Sequence, residues 1–347
     1  MAMRVTFASS HGRLGGGEVM LLTMVGVAIS LGHDVTVVAP SSPRDVLDRA
    51  EDYGARVVAI PGHGWEYLTR LRSWDVRHRD GLLWCNGLGP AFATAGGPNR
   101  VVSFHELPSR TGKLAVRFSA KGTRMVTVPS EWMRGHLGID SRVLGNWTQF
   151  DARKPPCFEG FPTHRPIRLG FLGRVTRSKG AVVLARAVER LNRADPGRYH
   201  LVVGGETRFA DRPEAEEIQS ALGLLEPRPV MLGWVPPEDF FRQVDLAVFP
   251  SVAPEAFGLV AAEAMAFGVP FVVTDAGALA GVSGKDPRFV ARPDDVDSLV
   301  DAIRAAVEHY TDEHVQLDYQ RWQDFYSPSA GRVHFEILLR ELAGDYS

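Results

Sequence analysis

Cysteine is scarce in this 347-residue sequence, which contains only Cys85 and Cys157. Two cysteines so far apart support neither a disulfide framework nor a thiolate metal cluster. The 11 histidines show no H-x3-H or H-E-x2-H spacing, so the pattern does not support a zinc site either. This composition favours a reducing, cytoplasmic setting.

Excess charge and long apolar runs are also missing. The sequence has 39 basic and 41 acidic residues, so bulk electrostatics give no reason to expect nucleic acid binding or strong attraction to a membrane. The apolar run "AVVLARAVERL" is interrupted by Arg186 and Glu189, and no other stretch is long enough to span a bilayer. The N-terminus shows no charged leader with a cleavage site. We therefore expect a soluble protein whose anion sites are local.

The sequence does contain a regular alternation of short β-branched runs and helical patterns, beginning with "RVTFAS", "GEVMLLTMVGVAISLG" and "DVTVVAP". This alternation predicts βαβ units, and hence mostly parallel sheets in an α/β fold. Residues 151–166 are rich in proline and follow neither period, which predicts a linker. We expect one parallel-sheet domain over 1–150, a second over 167–325, and a closing helix over 326–347 that packs back towards the first domain.

The first loop, "SSHGRLGGGE", follows a strand and opens a helix, where free backbone N–H groups bind phosphate. Gly15 and Gly16 are its candidate residues. The dinucleotide fingerprint is absent, because Met20 stands where G-x-G-x-x-G needs its third glycine, and the next strand ends without an acid. A merely tight turn is the alternative, although three consecutive glycines exceed what a turn requires.

Two cations follow the first strand of the second domain. The segment "FLGRVTRSKG" offers Arg174 and Lys179 just before a helix. Either residue alone would usually be a solvated loop cation. Together, beyond the carboxyl end of a parallel strand, they could hold a diphosphate and neutralise charge developing on it.

The segment "PEAFGLVAAEAMAFGVP" places Glu255 before a predicted helix and Glu263 inside it. The first turn of that helix is expected to contain Phe257, Gly258 and Leu259, with the glycine allowing a ligand close to the N–H groups. One carboxylate could then reach a sugar and the other a ribose of the same ligand. The alternative, a dipole partner and a surface charge, is weakened by the small apolar residues flanking Glu263.

Two further patterns receive structural interpretations. Asp295-x-Asp297 formally matches a metal-binding D-x-D, but it is better explained as the cap and first turn of a helix over 295–309. Residues 65–79 and 110–124 interleave cations with aromatic and aliphatic side chains, which is compatible with contact to anionic lipid or a phosphorylated acceptor. Solvated helix faces are the favoured interpretation, given the neutral total charge.

Taken together, these segments resemble the retaining glycosyltransferases of the GT-B class, specifically the family called GT4. The most specific element is the E-x7-E pattern from Glu255 to Glu263, and "FLGRVTRSKG" supports it. "SFHE" with His105 and "VLGNWTQF" with Asn146 are weaker supports, and the similarity extends over nearly the whole chain. Two departures are Trp147, where glycine is common, and "TDAGALAGVSG", which lacks a further acid.

The resemblance implies the GT-B fold, with two Rossmann-like domains whose parallel sheets face each other across an inter-domain cleft. It implies sugar transfer from a nucleotide diphosphate donor, bound by the second domain, to a hydroxyl acceptor on the side of the first, with retention of configuration. The acceptor would be a small molecule, a glycan or a lipid-linked group. No metal and no cofactor is implied, and UDP- and GDP-sugars are the first donors to consider.

Residue roles follow from the same resemblance. Arg174 and Lys179 would stabilise the leaving diphosphate, Glu255 would hold donor-sugar hydroxyls, and His105 would lie beside the reacting sugar. These four form the expected catalytic set, and the reaction would be a same-face displacement in which positioning dominates. The residues expected to bind the donor are Gly15, Gly16, Arg174, Lys179, Glu255, Phe257, Gly258, Leu259 and Glu263.

Two other functions stay open at this point. One is a GT-B-like module that binds a nucleotide sugar without catalysing transfer, and the intact Arg174, Lys179, Glu255 and His105 argue against it. The other is a nucleotide-sugar epimerase, which would convert the donor in acceptor-free buffer.

Overall fold

The computed structural model describes residues 2–108, 112–151 and 157–344. The predicted linker, the basic stretch 110–124 and the closing helix therefore lie partly outside the described residues. The chain divides into two compact units: unit 1 comprises residues 1–149 and 329–347, and unit 2 comprises residues 150–328.

Unit 1 contains a seven-stranded parallel sheet in the order β3-β2-β1-β4-β5-β6-β7. Its strands are β1 (Arg4–Ser9), β2 (Asp34–Pro40), β3 (Arg56–Ile60), β4 (Leu82–Asn86), β5 (Arg100–Ser103), β6 (Thr123–Val128) and β7 (Arg142–Val143). Its helices are α1 (Gly16–Ser30), α2 (Asp45–Asp52), α3 (Gly64–His78), α4 (Leu88–Ala93), α5 (Lys113–Ser119) and α6 (Glu131–Leu137). Every residue of the central strand β4 is buried, as expected for a parallel strand covered on both faces.

The last helix of the chain packs onto the core of unit 1. This helix, α14 (Pro328–Gly344), places the Phe335 ring 5.4 Å from the Trp84 ring and 6.3 Å from the Trp147 ring. A Cβ atom at Gly331 would lie only 2.1 Å from the Trp147 ring, so the glycine lets the helix approach the indole. The tryptophan that departs from the family pattern is thus a buried packing residue.

Unit 2 contains a six-stranded parallel sheet in the order β10-β9-β8-β11-β12-β13. Its strands are β8 (Ile167–Leu172), β9 (Tyr199–Gly204), β10 (Val230–Gly233), β11 (Leu246–Phe249), β12 (Phe271–Thr274) and β13 (Val290–Ala291). Its α-helices are α7 (Ala181–Ala194), α8 (Arg212–Gly223), α9 (Pro237–Phe241), α10 (Leu259–Phe267), α11 (Leu279–Ser283), α12 (Val296–His309) and α13 (Asp312–Arg321). A π-helical turn, Trp322–Tyr326, follows α13.

Each sheet has one point where the strand order reverses direction. It lies between β1 and β4 in unit 1 and between β8 and β11 in unit 2. In parallel sheets ligands bind beyond the carboxyl ends of the strands at this switch point. The loops leaving β8 and β11 therefore carry the most informative residues of unit 2, and they include Lys179 and Glu255. Among the described residues, no helix is long and apolar enough to cross a membrane.

Candidate functional site

Lys179 and Glu255 lie in direct contact at the switch point of unit 2. The Lys179 ammonium donates to Oε1 of Glu255, and both side chains are largely buried, with 27% and 17% of their surfaces exposed. A pair so shielded from water is held more firmly than a surface ion pair. The structure thus brings together two residues that the sequence places 76 positions apart.

A glycine and two backbone hydrogen bonds bring Lys179 to this position. Gly180 has φ +80°, and a Cβ atom there would lie 1.9 Å from the carbonyl oxygen of Pro250. Only glycine permits so close an approach of the two loops. The carbonyl oxygen of Ser178 then accepts hydrogen bonds from the N–H groups of Val252 and Ala253, at 2.9 and 3.0 Å. The loop after β8 is therefore tied to the loop after β11.

Glu255 is fixed through its backbone as well as its side chain. Its N–H donates to the carbonyl oxygen of Ala276 at 3.2 Å, and its own carbonyl accepts from the N–H of Ala278 at 2.8 Å. Ser251 Oγ donates to Glu255 Oε1 at 2.6 Å. The carboxylate is consequently held in one place before any ligand arrives.

The helix after this loop begins later than the sequence predicts. Phe257 and Gly258 were expected in its first turn, but α10 begins at Leu259, because Gly258 has φ +95° and ends the loop. A Cβ atom at Gly258 would lie 2.3 Å from Cδ2 of Leu279, so packing within the protein already requires a glycine here. The buried Phe257 ring packs edge-on against Tyr326 at 5.4 Å. Its side chain is therefore a packing group and does not reach a ligand, contrary to the expectation from the sequence.

Glu263 lies within α10 and is partly buried between small apolar neighbours. Burial raises the pKa of its carboxyl group to about 8, from an ordinary value of 4.5. A ligand that donates hydroxyl hydrogen bonds to this carboxyl group would stabilise its ionised form and so lower its pKa. Its assignment to a ribose remains a prediction.

Replacing Glu263 with glutamine should change how stability depends on pH. Because the pKa is higher in the folded state, the folded protein keeps a proton that the unfolded chain loses above about pH 4.5. The stability that this bound proton adds to the folded state is fully present below about pH 4.5 and is lost as the pH rises through about 8. We expect the melting temperature of Glu263→Gln to rise relative to wild type between pH 5 and pH 9. Differential scanning calorimetry would measure it.

An exposed acid provides the control for this prediction. Glu226 has 82% of its side chain exposed, so Glu226→Gln should show a melting temperature difference that is nearly constant over the same pH range. A constant difference for Glu263→Gln would instead mean that Glu263 ionises normally.

Arg174, the other predicted diphosphate ligand, lies exposed on the loop after β8. Its guanidinium carbon is 5.9 Å from the centre of the Phe209 ring, and Arg208 lies 5.0 Å from the same ring. These are cation–π distances, and they orient the arginine without burying it. Phe209 belongs to the loop after β9, and nothing in the sequence pattern singled it out.

In unit 1, the glycine loop leads directly into α1. Gly15 is the N-cap residue, without a side-chain cap, and Gly16 begins the helix with open space around it. Burial raises the pKa of Glu18 in the first turn, although hydrogen bonds from the N–H groups of Glu18 and Gly15 act against this shift. The Glu18 carboxylate lies close to this glycine, since a Cβ atom at Gly15 would lie 2.9 Å from Oε2 of Glu18.

His105 follows β5 and is held by an amide at the end of β4. Its Nε2 lies 2.7 Å from Oδ1 of Asn86, whose Nδ2 donates to the carbonyl oxygen of Gly17 at 3.2 Å. Because the amide oxygen only accepts, Nε2 carries the proton. Burial lowers the pKa of the ring to about 4, and Nδ1 has no hydrogen-bond partner among the described residues. His105 is therefore neutral at physiological pH.

The other two sequence patterns also have defined surroundings. Asp295 caps α12 by accepting from the N–H of Ser298 at 2.9 Å, which confirms the capping interpretation of the D-x-D pattern.

The stretches 65–79 and 110–124 approach one another through aromatic rings: Trp65 lies 5.8 Å from Phe92, which lies 5.1 Å from Phe118. Trp65 is 71% exposed.

Known proteins match both units. The model described as "Glycosyltransferase Family 4" matches residues 14–140, and that described as "Glycosyl transferases group 1" matches residues 166–309. This chain belongs to glycosyltransferase family 4. The phosphatidyl-myo-inositol mannosyltransferase of Mycolicibacterium smegmatis is 26% identical to this glycosyltransferase over 333 residues, covering 85% of the chain and 81% of the relative. The D-inositol 3-phosphate glycosyltransferase of Nocardia farcinica is 41% identical over 127 residues, covering 35% of the chain and 28% of the relative.

Solved structures show the fold of this glycosyltransferase. Anabaena HepE in complex with UDP matches with a TM-score of 0.81 at 17% identity, covering 98% of the chain and 100% of HepE. A sucrose-phosphate synthase from Thermosynechococcus elongatus matches with a TM-score of 0.78, also at 17% identity, covering 99% of the chain and 100% of the synthase. The predicted GT-B class with two Rossmann-like domains is confirmed.

Proposed function

We propose that this glycosyltransferase moves a sugar from a nucleoside diphosphate donor to a hydroxyl acceptor, with retention of configuration and without a metal ion. The contact between Lys179 and Glu255 carries the proposal, because it places a cation beside a carboxylate at the switch point of unit 2. An ammonium suits a diphosphate, and a carboxylate suits sugar hydroxyls. One pair of adjacent side chains can therefore serve both halves of a sugar diphosphate.

In the proposed reaction, the bond between the anomeric carbon and the diphosphate oxygen breaks while the acceptor oxygen bonds to the same face of that carbon. The departing phosphate oxygen takes the acceptor proton, so no protein base is required and Glu255 is not a nucleophile. Lys179 and Arg174 stabilise the negative charge that develops on the diphosphate. Neutral His105 and the fixed Glu255 carboxylate supply hydrogen bonds to the sugar.

The nucleotide is assigned to the loops after β9 and β10 of unit 2. The N–H of Gly205 donates to the carbonyl oxygen of Gly233 at 2.7 Å, which keeps the two loops adjacent. They carry the exposed rings of Phe209 and Trp234, with 54% and 72% exposure. These exposed rings, of which Phe209 lies beside Arg174, offer flat surfaces for a base. Glu263 is assigned to the ribose hydroxyls.

Inositol-containing acceptors are the first to test. Two relatives are named for phosphatidyl-myo-inositol and D-inositol 3-phosphate. We propose that this chain also uses a hydroxyl of an inositol group, free or lipid-linked. The ratio of the two products in a competition assay would show which form it prefers.

A UDP- or GDP-sugar should raise the melting temperature of the protein. A ligand that binds only the folded state adds about 2.7 kcal/mol at a hundredfold excess over its Kd. Thermal-shift screening of UDP, GDP, ADP and TDP sugars would identify the donor. A chelator should leave both the shift and the turnover unchanged. The anomeric configuration of the product, read by NMR, then tests retention.

Two outcomes would favour other functions. Conversion of the donor to an epimer in acceptor-free buffer would support an epimerase. A thermal shift without turnover on any inositol acceptor would reject the proposed acceptor class. The absence of a shift with every nucleotide sugar would contradict the donor assignment itself.

A further inference from the structure

Ser251 is a buried serine whose hydroxyl group contacts Glu255, the residue proposed to bind the donor sugar. It lies just beyond β11 with 4% of its surface exposed, and its Oγ donates to Glu255 Oε1 at 2.6 Å. Its carbonyl oxygen accepts from Thr274 Oγ1 at 2.7 Å. A short side chain on an anchored backbone presents its hydroxyl in a nearly fixed direction.

The two oxygens of the Glu255 carboxylate have different surroundings. Oε1 receives both the Ser251 hydroxyl and the Lys179 ammonium. No hydrogen bond from the described residues reaches Oε2. A carboxylate oxygen has two lone pairs, so two donors occupy Oε1 fully and leave Oε2 for a ligand.

Lys179 alone could not maintain this arrangement during binding. Its ammonium stands on a flexible four-carbon stem, and a bound diphosphate would compete for it. Ser251 has no such freedom, because its hydroxyl is one bond from Cβ. When the ammonium shifts towards phosphate, the serine hydroxyl still holds Oε1.

We infer that Ser251 is a positioning residue that fixes the Glu255 carboxylate so that Oε2 accepts a hydroxyl of the donor sugar. The inference rests on the proposed function, and it adds a residue that recognises the sugar half of the donor through Glu255. Ser251 should consequently influence the affinity for a nucleotide sugar and leave the affinity for the bare nucleotide unchanged.

Isothermal titration of UDP, UDP-glucose, GDP and GDP-mannose against the full chain tests this difference. A hydrogen bond to a charged group contributes enough for a change of about tenfold or more. Ser251→Ala should weaken binding of the nucleotide sugar at least tenfold and change binding of the matching bare nucleotide less than twofold. Ser251→Thr keeps a hydroxyl and should restore most of the sugar-dependent affinity. In a Glu255→Gln background, Ser251→Ala should have little further effect.

A second buried serine provides the matched control. Ser283 is 1% exposed, and its Oγ donates to the carbonyl oxygen of Ala280 at 3.1 Å, within α11. Ser283→Ala should leave all four affinities unchanged. Equal losses for sugar and bare nucleotide in Ser251→Ala, or no loss for either, would overturn the positioning role alone. Failure of the wild-type protein to bind any of the four probes would overturn the donor assignment, and the inference with it.

Discussion

Lys179→Ala should lower kcat/KM for sugar transfer by about 10²–10³-fold, the usual cost of removing one preorganised group that stabilises transition-state charge. The Lys179 side chain is 27% exposed and its ammonium contacts Glu255, so its removal takes away a shielded cation and leaves Ser251 as the only hydrogen-bond donor to the carboxylate among the described residues. The lost cation and the less firmly held carboxylate both affect the step in which the diphosphate leaves the sugar. We therefore expect most of the loss to appear in kcat. Steady-state kinetics with the identified donor would measure it.

Arg177 provides the matched control for Lys179. It lies two positions earlier on the same loop, has 64% of its side chain exposed, and pairs with Glu217. Arg177→Ala should therefore keep wild-type kinetics. Glu255→Gln should lose activity to a similar degree as Lys179→Ala, and the double variant should lose less than the product of the two single losses, because the residues are in contact. Near-wild-type turnover of both single variants would remove the basis of the assignment.

The regular parts of the fold could be predicted because local signals define them. The helix predicted to follow Lys179 is found at Ala181–Ala194, and that predicted over 295–309 is found at Val296–His309, preceded by its capping residue. Periodic apolar residues and helix caps depend on neighbours only a few positions away, so they can be recognised from the local sequence without knowledge of the tertiary structure. The start of α10 was misplaced because Gly258 adopts φ +95°, which the apolar pattern does not indicate.

The candidate site could be predicted only in part. The sequence indicated the two cations and Glu255 because they lie in loops at strand ends, and it indicated Glu263 because a charge stands there among small apolar residues of α10. It did not indicate Ser251, which is an ordinary residue type without periodic context. Asn86 and Phe209 were missed for a different reason: their contacts with His105 and Arg174 depend on which strands lie side by side, and strand order is a property of the whole sheet.

Gly277→Ala should reduce transfer by about a hundredfold or more by displacing Glu255. Gly277 has φ +71°, and a Cβ atom there would lie 2.4 Å from the carbonyl oxygen of Glu255 and 2.5 Å from its nitrogen. Backbone atoms cannot swing aside as a side-chain end can, so the Glu255 segment must shift. A misplacement of about 1 Å in a positioning group costs on the order of 10²-fold in rate. Transfer kinetics and thermal melting of the same variant would measure both consequences.

Gly281→Ala is the control, since this glycine lies four residues further on in α11, has open space around it, and does not have a positive φ. Alanine there should leave activity unchanged, and its higher helix propensity should leave stability equal or slightly greater. For Gly277→Ala, the left-handed conformation adds about 1–2 kcal/mol of strain, so a lower melting temperature is also expected. A folded Gly277→Ala protein with undiminished transfer would show that the backbone position of Glu255 does not control the reaction. Loss of activity in a protein that is still folded at the assay temperature would place the cause in the position of the Glu255 carboxylate, because Gly277 has no side chain of its own to offer a substrate.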